Sequence, residues 1–342
     1  MQQRRDQWVD FARGIGILLV VYGHIARGLY NAGLPLDVAA YTLVDSVIYC
    51  FHMPLFFFLS GLYFYPSLER HGRGALVRNK LATLAYPYLL WSLIQGGVEL
   101  VASHYTNKQT TFADLYSILW HPHAQFWFLY ILLLNFILMA LLSPTTTSAR
   151  WALLPLAAIA WITQLWVHWP FPLDFLVNYW LYFMFGCVFP DCIGLFKKRP
   201  ALLTLCNAVI FTALAWYFHG PAGLIFSDYS WLHLPLAFSG IATVCGLSML
   251  LDKLPASYTR WLLVCGICSM PVYLLHVLVG SGVRIALSKI LHVQNSAAHL
   301  LIGMLLAVWL PVLFYRWTKR HAQNRLSWLN WLFELPASLR GR

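Results

Sequence analysis

The sequence predicts an all-α integral membrane protein, a bundle of about ten transmembrane helices with both termini in the cytoplasm. Three observations predict it. Of 342 residues, 60% are hydrophobic and only 10% charged, against about 25% charged in a soluble domain. Apolar runs recur ten times, at 12–30, 44–64, 82–103, 126–142, 152–168, 174–190, 201–219, 232–251, 262–280 and 298–316, and a bilayer span needs about 20 such residues. Lys and Arg fall unevenly between these runs, as the positive-inside rule requires. A mean hydropathy of +0.64 excludes a water-soluble globule, and disorder needs low hydrophobicity.

The basic residues set the orientation. Arg4, Arg5 and Arg13 precede or open the first run, and Arg70, Arg73, Arg78 and Lys80 follow the second. Arg150, the Lys197–Lys198–Arg199 group, Lys253, Arg260 and the tail continue on that side, nineteen in all; Arg27, Lys108, Arg284 and Lys289 lie on the other. The net charge of +11 is therefore explained by topology, and nucleic acid is not expected as a partner. Seven cysteines, 50, 187, 192, 206, 245, 265 and 268, lie nearly all in apolar segments and read as small buried side chains, not a disulfide framework. No metal site is expected from them or from His104, His121 and His123, whose spacing is poor. No low-complexity segment or internal repeat is visible.

The first run follows two arginines but lacks a small-x-small cleavage site after it, so it reads as an uncleaved span. Ionisable groups inside a bilayer are costly and each is a functional candidate. Arg13 and His24 are eleven positions apart. On a helix that is about 20° past three full turns and about 16 Å along the axis, so both side chains share one face. An extended ligand with an anionic end fits that spacing, and His24 is a natural general base. The alternative is a histidine bonding a neighbouring helix. Asp10, three residues before Arg13, either orients it or is an interfacial charge.

The second run contains His52-Met53-Pro54-Leu55-Phe56-Phe57-Phe58-Leu59-Ser60-Gly61. Pro54 predicts a kink and Gly61 a close backbone approach. Ser60 bonds either a substrate or its own helix; a serine nucleophile is not expected without a Gly-x-Ser-x-Gly turn. Later runs hold Tyr273 and His276 one turn apart in the ninth span, lining a pocket or packing as a polar pair. Glu99, Asp174 and Asn178 lie on the outer side, in reach of a sugar or engaged between helices, and Gln95, Asn135, Gln164 and Asn207 are further polar groups inside runs. Arg284, just after the ninth run, breaks the positive-inside pattern and is expected to dip into the bundle. Residues 1–316 form one transmembrane domain in this reading, and 317–342, mixing Trp317, Trp328, Trp331 and Leu332 with basic residues, an interfacial amphipathic tail.

The segment Val9-Asp10-Phe11-Ala12-Arg13-Gly14 through Tyr22-Gly23-His24 resembles the opening signature of the acyltransferase-3 family of membrane O-acyltransferases, an Arg or Lys and a His separated by ten residues. Phe57-x-x-Ser60-Gly61 resembles its second-span motif. Arg78-x-Lys80 followed by Leu84 and Tyr86-Pro87-Tyr88 resembles its basic loop, and Arg70-x-x-Arg73 a basic pair near it. Phe126-Trp127-Phe128-Leu129, Tyr182-Phe183-x-Phe185-Gly186 and Ser269-x-x-x-Tyr273-Leu274-Leu275-His276 resemble later segments, in the same order. His52-Met53-Pro54-Leu55-Phe56 is similar to the fucose 4-O-acetylase-like branch.

The resemblance implies transfer of an acyl group, usually acetyl, from cytoplasmic acetyl-CoA to a sugar hydroxyl of a surface or exported glycan, or a lipid-linked saccharide, at a bacterial inner membrane. In that reading Arg13, with Arg70, Arg73, Arg78 or Lys80, holds CoA phosphate; arginine suits bidentate phosphate contacts. His24 serves as base, with Asp10, Ser60, Tyr273 and His276 near the reaction, and Glu99, Trp127, Asp174, Asn178 and Arg284 toward the acceptor. The rival reading is a proton-coupled transporter using His24 and His276 as a relay, against which stands the lack of a visible pair of broken helices.

Overall fold

The computed structural model describes residues 7–101, 111–142, 144, 146–321 and 327–335. Arg4, Arg5, His104, Lys108, Arg325, Arg340 and Arg342 lie outside the described residues. Helices in chain order are α1 (Trp8–Asn31), α2 (Val38–Tyr49), α3 (His52–Gly61), α4 (Phe64–Lys80) and α5 (Tyr86–Val101). They continue with α6 (Phe112–Tyr116), α7 (Trp127–Leu142), α8 (Thr147–Thr163), α9 (Leu173–Val188) and α10 (Ile193–Lys198). The chain closes with α11 (Pro200–His219), α12 (His233–Leu251), α13 (Ala256–Ile267), α14 (Ser269–Ile285) and α15 (Ser296–Arg320). No strand occurs among the described residues, and the protein is an all-helical membrane protein.

Eight segments among the described residues are long and apolar enough to cross a membrane: Trp8–Asn31, Val38–Gly61, Phe112–Leu142, Leu173–Asp191, Pro200–His219, His233–Leu251, Ser269–Ile290 and Ser296–Arg320. The other two expected runs are helical as well: a π-helical turn, Leu81–Ala85, leads directly into α5, and α8 has 17 residues, about 25 Å where the hydrocarbon core is about 30 Å. Large apolar side chains such as Leu205, Val209, Trp216, Leu301 and Leu305 point outward, as on a lipid-facing surface.

Two runs that read as continuous in sequence are broken. The 44–64 run is interrupted at Cys50–Phe51, and the 262–280 run at Cys268. Each break precedes a proline, Pro54 and Pro271, by three or four residues. The proline ring would strike the carbonyl four positions back if the helix ran on, but it fits the first turn of a new helix, where the N–H is unused. Pro54 thus starts α3 and does not kink it. Arg284 consequently lies inside α14 and not after the ninth span. Some other starts are capped. Asp37 accepts a 3.0 Å bond from the Ala40 N–H at α2, and Thr111 and Asp114 cap each other's backbone at α6. Gly72 breaks α4 at φ 76°, ψ 168°, a conformation open to glycine.

The chain forms two compact units. The first comprises Met1–Leu59 and Phe189–Val312, the second Ser60–Val188 and Leu313–Arg342. In the first, α1 packs against α2, α12, α13 and α14, and α11 packs on α12. Close helix contact there depends on bare backbone. A Cβ on Gly14 would stand 2.5 Å from the Leu262 carbonyl oxygen, one on Gly16 2.9 Å from Phe56, and one on Gly266 would overlap the Asp10 carbonyl. The aromatic and aliphatic residues Phe11, Ala12, Ile17, Val20 and Val21 of α1 are buried around these contacts.

In the second unit α7 packs on α4 and α9, and α8 on α9. A Cβ on Gly61 would overlap the Phe183 carbonyl and come within 3.1 Å of Gly186, so two of the recognised motifs meet as a packing contact. Arg150 of α8 pairs with Glu69 at 2.7 Å and lies over Tyr65. The described part of the tail docks on α5. Tyr86 Oη donates to the Trp331 carbonyl at 2.7 Å and Trp91 Nε1 to that of Leu332 at 2.6 Å, and Phe333 is buried against Tyr315. The expectation of an interfacial helix over 317–342 falls in part on 322–326 and 336–342, outside the described residues. None of the seven cysteines, all among the described residues, forms a disulfide.

Gly266→Val should separate α13 from α1 and lower stability by about 1–3 kcal/mol, the range for an overfilled contact. Gly74→Ala, with nothing within 4 Å of its Cβ, should be tolerated. Thermal unfolding of the detergent-solubilised proteins checks this, and equal midpoints would refute the close-contact argument.

Candidate functional site

The first unit gathers part of the expected set. On α1, Asp10 is buried and Arg13 Nη1 donates to its Oδ1 at 3.3 Å, the i, i+3 pairing that the spacing allows. His24 lies further along the same helix and is half-buried. Its ring meets that of His276 on α14 edge-on, with centroids 4.8 Å apart. Tyr273 is buried one turn earlier on α14, 6.1 Å from His276.

The hydrogen bonds of these histidines settle their tautomers. His24 Nδ1 is 3.0 Å from the Val20 carbonyl oxygen. A carbonyl only accepts, so Nδ1–H donates and neutral His24 carries its lone pair on Nε2. His276 donates from Nδ1 to the Tyr273 and Val272 carbonyls at 2.8 and 3.1 Å. His52 does the same toward Ile48 at 2.8 Å. The Nε2 atoms of His276 and His52 are buried without a hydrogen-bond partner among the described residues. Each ring is thus held by a backbone carbonyl three or four residues earlier and presents a basic nitrogen.

A cavity of about 130 Å³ opens beside this pair, lined by His24, Gly28 and Leu29 of α1, His276, Ser281 and Arg284 of α14, and His299 of α15, among others. Bare glycine walls make room for it. A Cβ on Gly280 or Gly303 would press on Ile25 at 3.4 and 3.3 Å. Among the described residues no three His, Cys, Asp or Glu side chains are placed to hold a metal ion.

One turn beyond His24, Arg27 clamps Asp45 of α2. Nε lies 3.0 Å from Oδ1 and Nη2 2.9 Å from Oδ2, a bidentate geometry. The guanidinium also lies 3.5 Å over the Tyr49 ring, and Tyr49 packs edge-on against His52 at 4.4 Å. This cluster of Arg27, Asp45, Tyr49 and His52, together with Ser281 and His299, was not singled out as site residues by sequence reasoning. The signal was present for Asp45 and His299, ionisable groups within apolar runs.

The remaining expected residues belong to the second unit. Ser60 is half-buried near the end of α3. Arg70, Arg73 and Arg78 are exposed along α4, and Lys80 lies 4.0 Å over the Phe136 ring. Glu99 accepts from Gln95 at 2.9 Å and bonds His123 at 2.8 Å, with Gln125 extending the network. Asp174 accepts from the Phe175 N–H at the start of α9, and Asn178 accepts from Trp161 Nε1 at 2.9 Å. Trp127 packs on Phe175 and Tyr179. Glu99, Asp174, Asn178 and Trp127 thus all have partners within the protein.

The family model of the acyltransferase domain, acyltransferase-3, matches residues 6–316. The chain belongs to this family. Among curated relatives it is 29% identical to nodulation protein NolL of Sinorhizobium fredii (strain NBRC 101917 / NGR234) over 157 residues, 44% of this chain and 40% of that protein. It is 30% identical to nodulation protein NolL of Mesorhizobium japonicum (strain LMG 29417 / CECT 9101 / MAFF 303099) over 148 residues, 43% of this chain and 38% of that protein. The chain therefore spans about two fifths of the length of these relatives. No solved structure matches.

Asp45→Asn should weaken the Arg27 clamp and cost about 1.5–3 kcal/mol, the range for hydrogen bonds to a charged group. A lowered unfolding midpoint in detergent is expected. A midpoint equal to the unmodified protein's would show that the pair adds nothing.

Proposed function

We propose that this protein is a membrane-bound O-acyltransferase that moves an acetyl group from cytoplasmic acetyl-CoA to a hydroxyl of a surface or exported glycan, in a bacterial inner membrane. Membership of the acyltransferase-3 family sets the reaction class. The observation that carries the residue assignment is His24: its Nδ1–H is held by Val20, leaving Nε2 basic, on a helix that also carries the Asp10–Arg13 pair.

In this reading His24 Nε2 takes the acceptor hydroxyl proton as that oxygen bonds the thioester carbonyl carbon, and the carbon–sulfur bond breaks to release CoA as a thiolate, which takes the proton from His24. His276, ring to ring with His24, and Tyr273, whose carbonyl orients His276, position the base. Arg13, steadied by Asp10, binds a donor phosphate in bidentate fashion. Arg70, Arg73, Arg78 and Lys80 are separate proposals as donor contacts, and Ser60, Glu99, Trp127, Asp174 and Asn178 as residues toward the reaction or the acceptor. The partners with protein groups already bonded to Glu99, Asp174 and Asn178 favour a supporting role there. The two broken helix runs are a feature that transporters share, and a proton relay through His24 and His276 remains the second reading on that ground.

Mass spectrometry of envelope and secreted glycans from matched cells tests the proposal. An added acetyl group is expected with the intact protein and should vanish with His24→Ala while membrane insertion is unchanged. No difference in any glycan, despite good expression, would overturn acyl transfer and favour the transporter. Arg13→Ala should raise the donor KM by about tenfold or more with a smaller change in kcat, the scale for losing a charge-assisted contact. A normal donor KM would remove the phosphate assignment.

A further inference from the structure

Arg284 is a charged group in this cavity that base catalysis does not use. It lies in α14, two turns beyond His276, within a segment of membrane-spanning length. Its side chain is half-buried, and Nε stands 4.0 Å from the point a Cβ on Gly28 would occupy. Gly28 is one turn beyond His24 on α1, so the guanidinium sits about one helical turn, roughly 5–6 Å, past the base. Among the described residues no carboxylate pairs with Arg284. On α2, Asp45, which lies beside Gly23 of α1, is held by Arg27. A guanidinium cannot shed its proton, and a charge inside a membrane protein ordinarily faces a partner or a ligand.

The other polar groups of the cavity are complementary in kind. His24 and His276 offer Nε2 lone pairs, and His299, whose Nε2 donates to the Val293 carbonyl at 2.9 Å, has a buried Nδ1 with no hydrogen-bond partner among the described residues. These accept hydrogen bonds; Arg284 donates several. A cavity of about 130 Å³ admits on the order of ten waters' worth of material where each water needs about 10–15 Å³, which suits one sugar unit. Hydroxyls would meet the imidazoles, and an oxyanion would meet the guanidinium.

We propose that Arg284 makes this cavity a subsite for an anionic acceptor unit, a sugar bearing a carboxylate or a phosphate ester, and so sets acceptor specificity. The proposal rests on the acyltransferase reading for the word acceptor, but the anion subsite itself does not. The test uses the full chain in phosphatidylcholine nanodiscs, with thermal unfolding titrated by glucuronate, glucose 6-phosphate and glucose. Both anionic sugars should raise the midpoint and glucose should not. Arg284→Gln should weaken apparent affinity for the anionic sugars by about tenfold or more, and Arg284→Lys should keep the preference at reduced affinity.

Gly28→Leu, which leaves the guanidinium in place and fills the space beside it, should also abolish the effect; it keeps the test valid should Arg284→Gln not fold. Equal stabilisation by glucose, no stabilisation by either anion, or an anion effect that survives both Arg284→Gln and Gly28→Leu would overturn the proposal. In phosphatidylglycerol nanodiscs the sugar response should persist. Stabilisation by those discs alone, with none added by the sugars, would assign the site to a lipid headgroup and overturn the acceptor role. Acetyl-CoA turnover, followed as free thiol, is read in parallel: an anion effect without turnover would leave the subsite standing and sink the enzyme reading.

Discussion

The first unit depends on how closely α1 can approach its neighbours. Gly14 lies against the Leu262 carbonyl, and Gly266 lies against the Asp10 carbonyl. In a bilayer, helices gain little from burying apolar surface, because lipid is equally apolar. Tight backbone contact supplies dispersion energy in its place. These contacts seat α1 against α13 and hold in register the face that carries Asp10, Arg13, His24 and Arg27. The same economy of side chain recurs at Gly28 and Gly280, which line the space beside His24 instead of closing it.

Backbone carbonyls then decide the chemistry of the histidines. Each of His24, His52 and His276 spends its Nδ1 proton on a carbonyl three or four residues earlier in its chain. This local bond costs the helix nothing, since a carbonyl has two lone pairs. It fixes ring direction and tautomer at once. Three basic nitrogens result in an apolar interior without any carboxylate to orient them, which differs from a triad in which an acid performs that task.

The second unit shows polar residues used mainly as glue. The Gln95–Glu99–His123–Gln125 network and the Trp161–Asn178 bond each satisfy groups that would otherwise be stranded among apolar helices. Sequence reasoning treats an intramembrane acid as a candidate for chemistry and an interhelical bond as its alternative. The distances decide between them only once the neighbouring helix is known.

The sequence by itself determined the all-helical membrane class, because composition and bilayer-length apolar runs need no knowledge of neighbours. It also determined the Arg13–His24 register, set by the 3.6-residue turn of one helix, and the ordered motifs that place the chain in its family; the spacing allowed the Asp10–Arg13 pair but left it open. Tertiary structure alone decided that His24 meets His276, that Arg27 finds Asp45, and that Arg284 lies at a cavity beside His24. It also decided which polar residues are already engaged. Helical periodicity states which side chains share a face, but not which other helix that face meets. The meeting is set by backbone approach at glycines and by breaks before Pro54 and Pro271, whose effect on distant pairs exists only when the helices are packed.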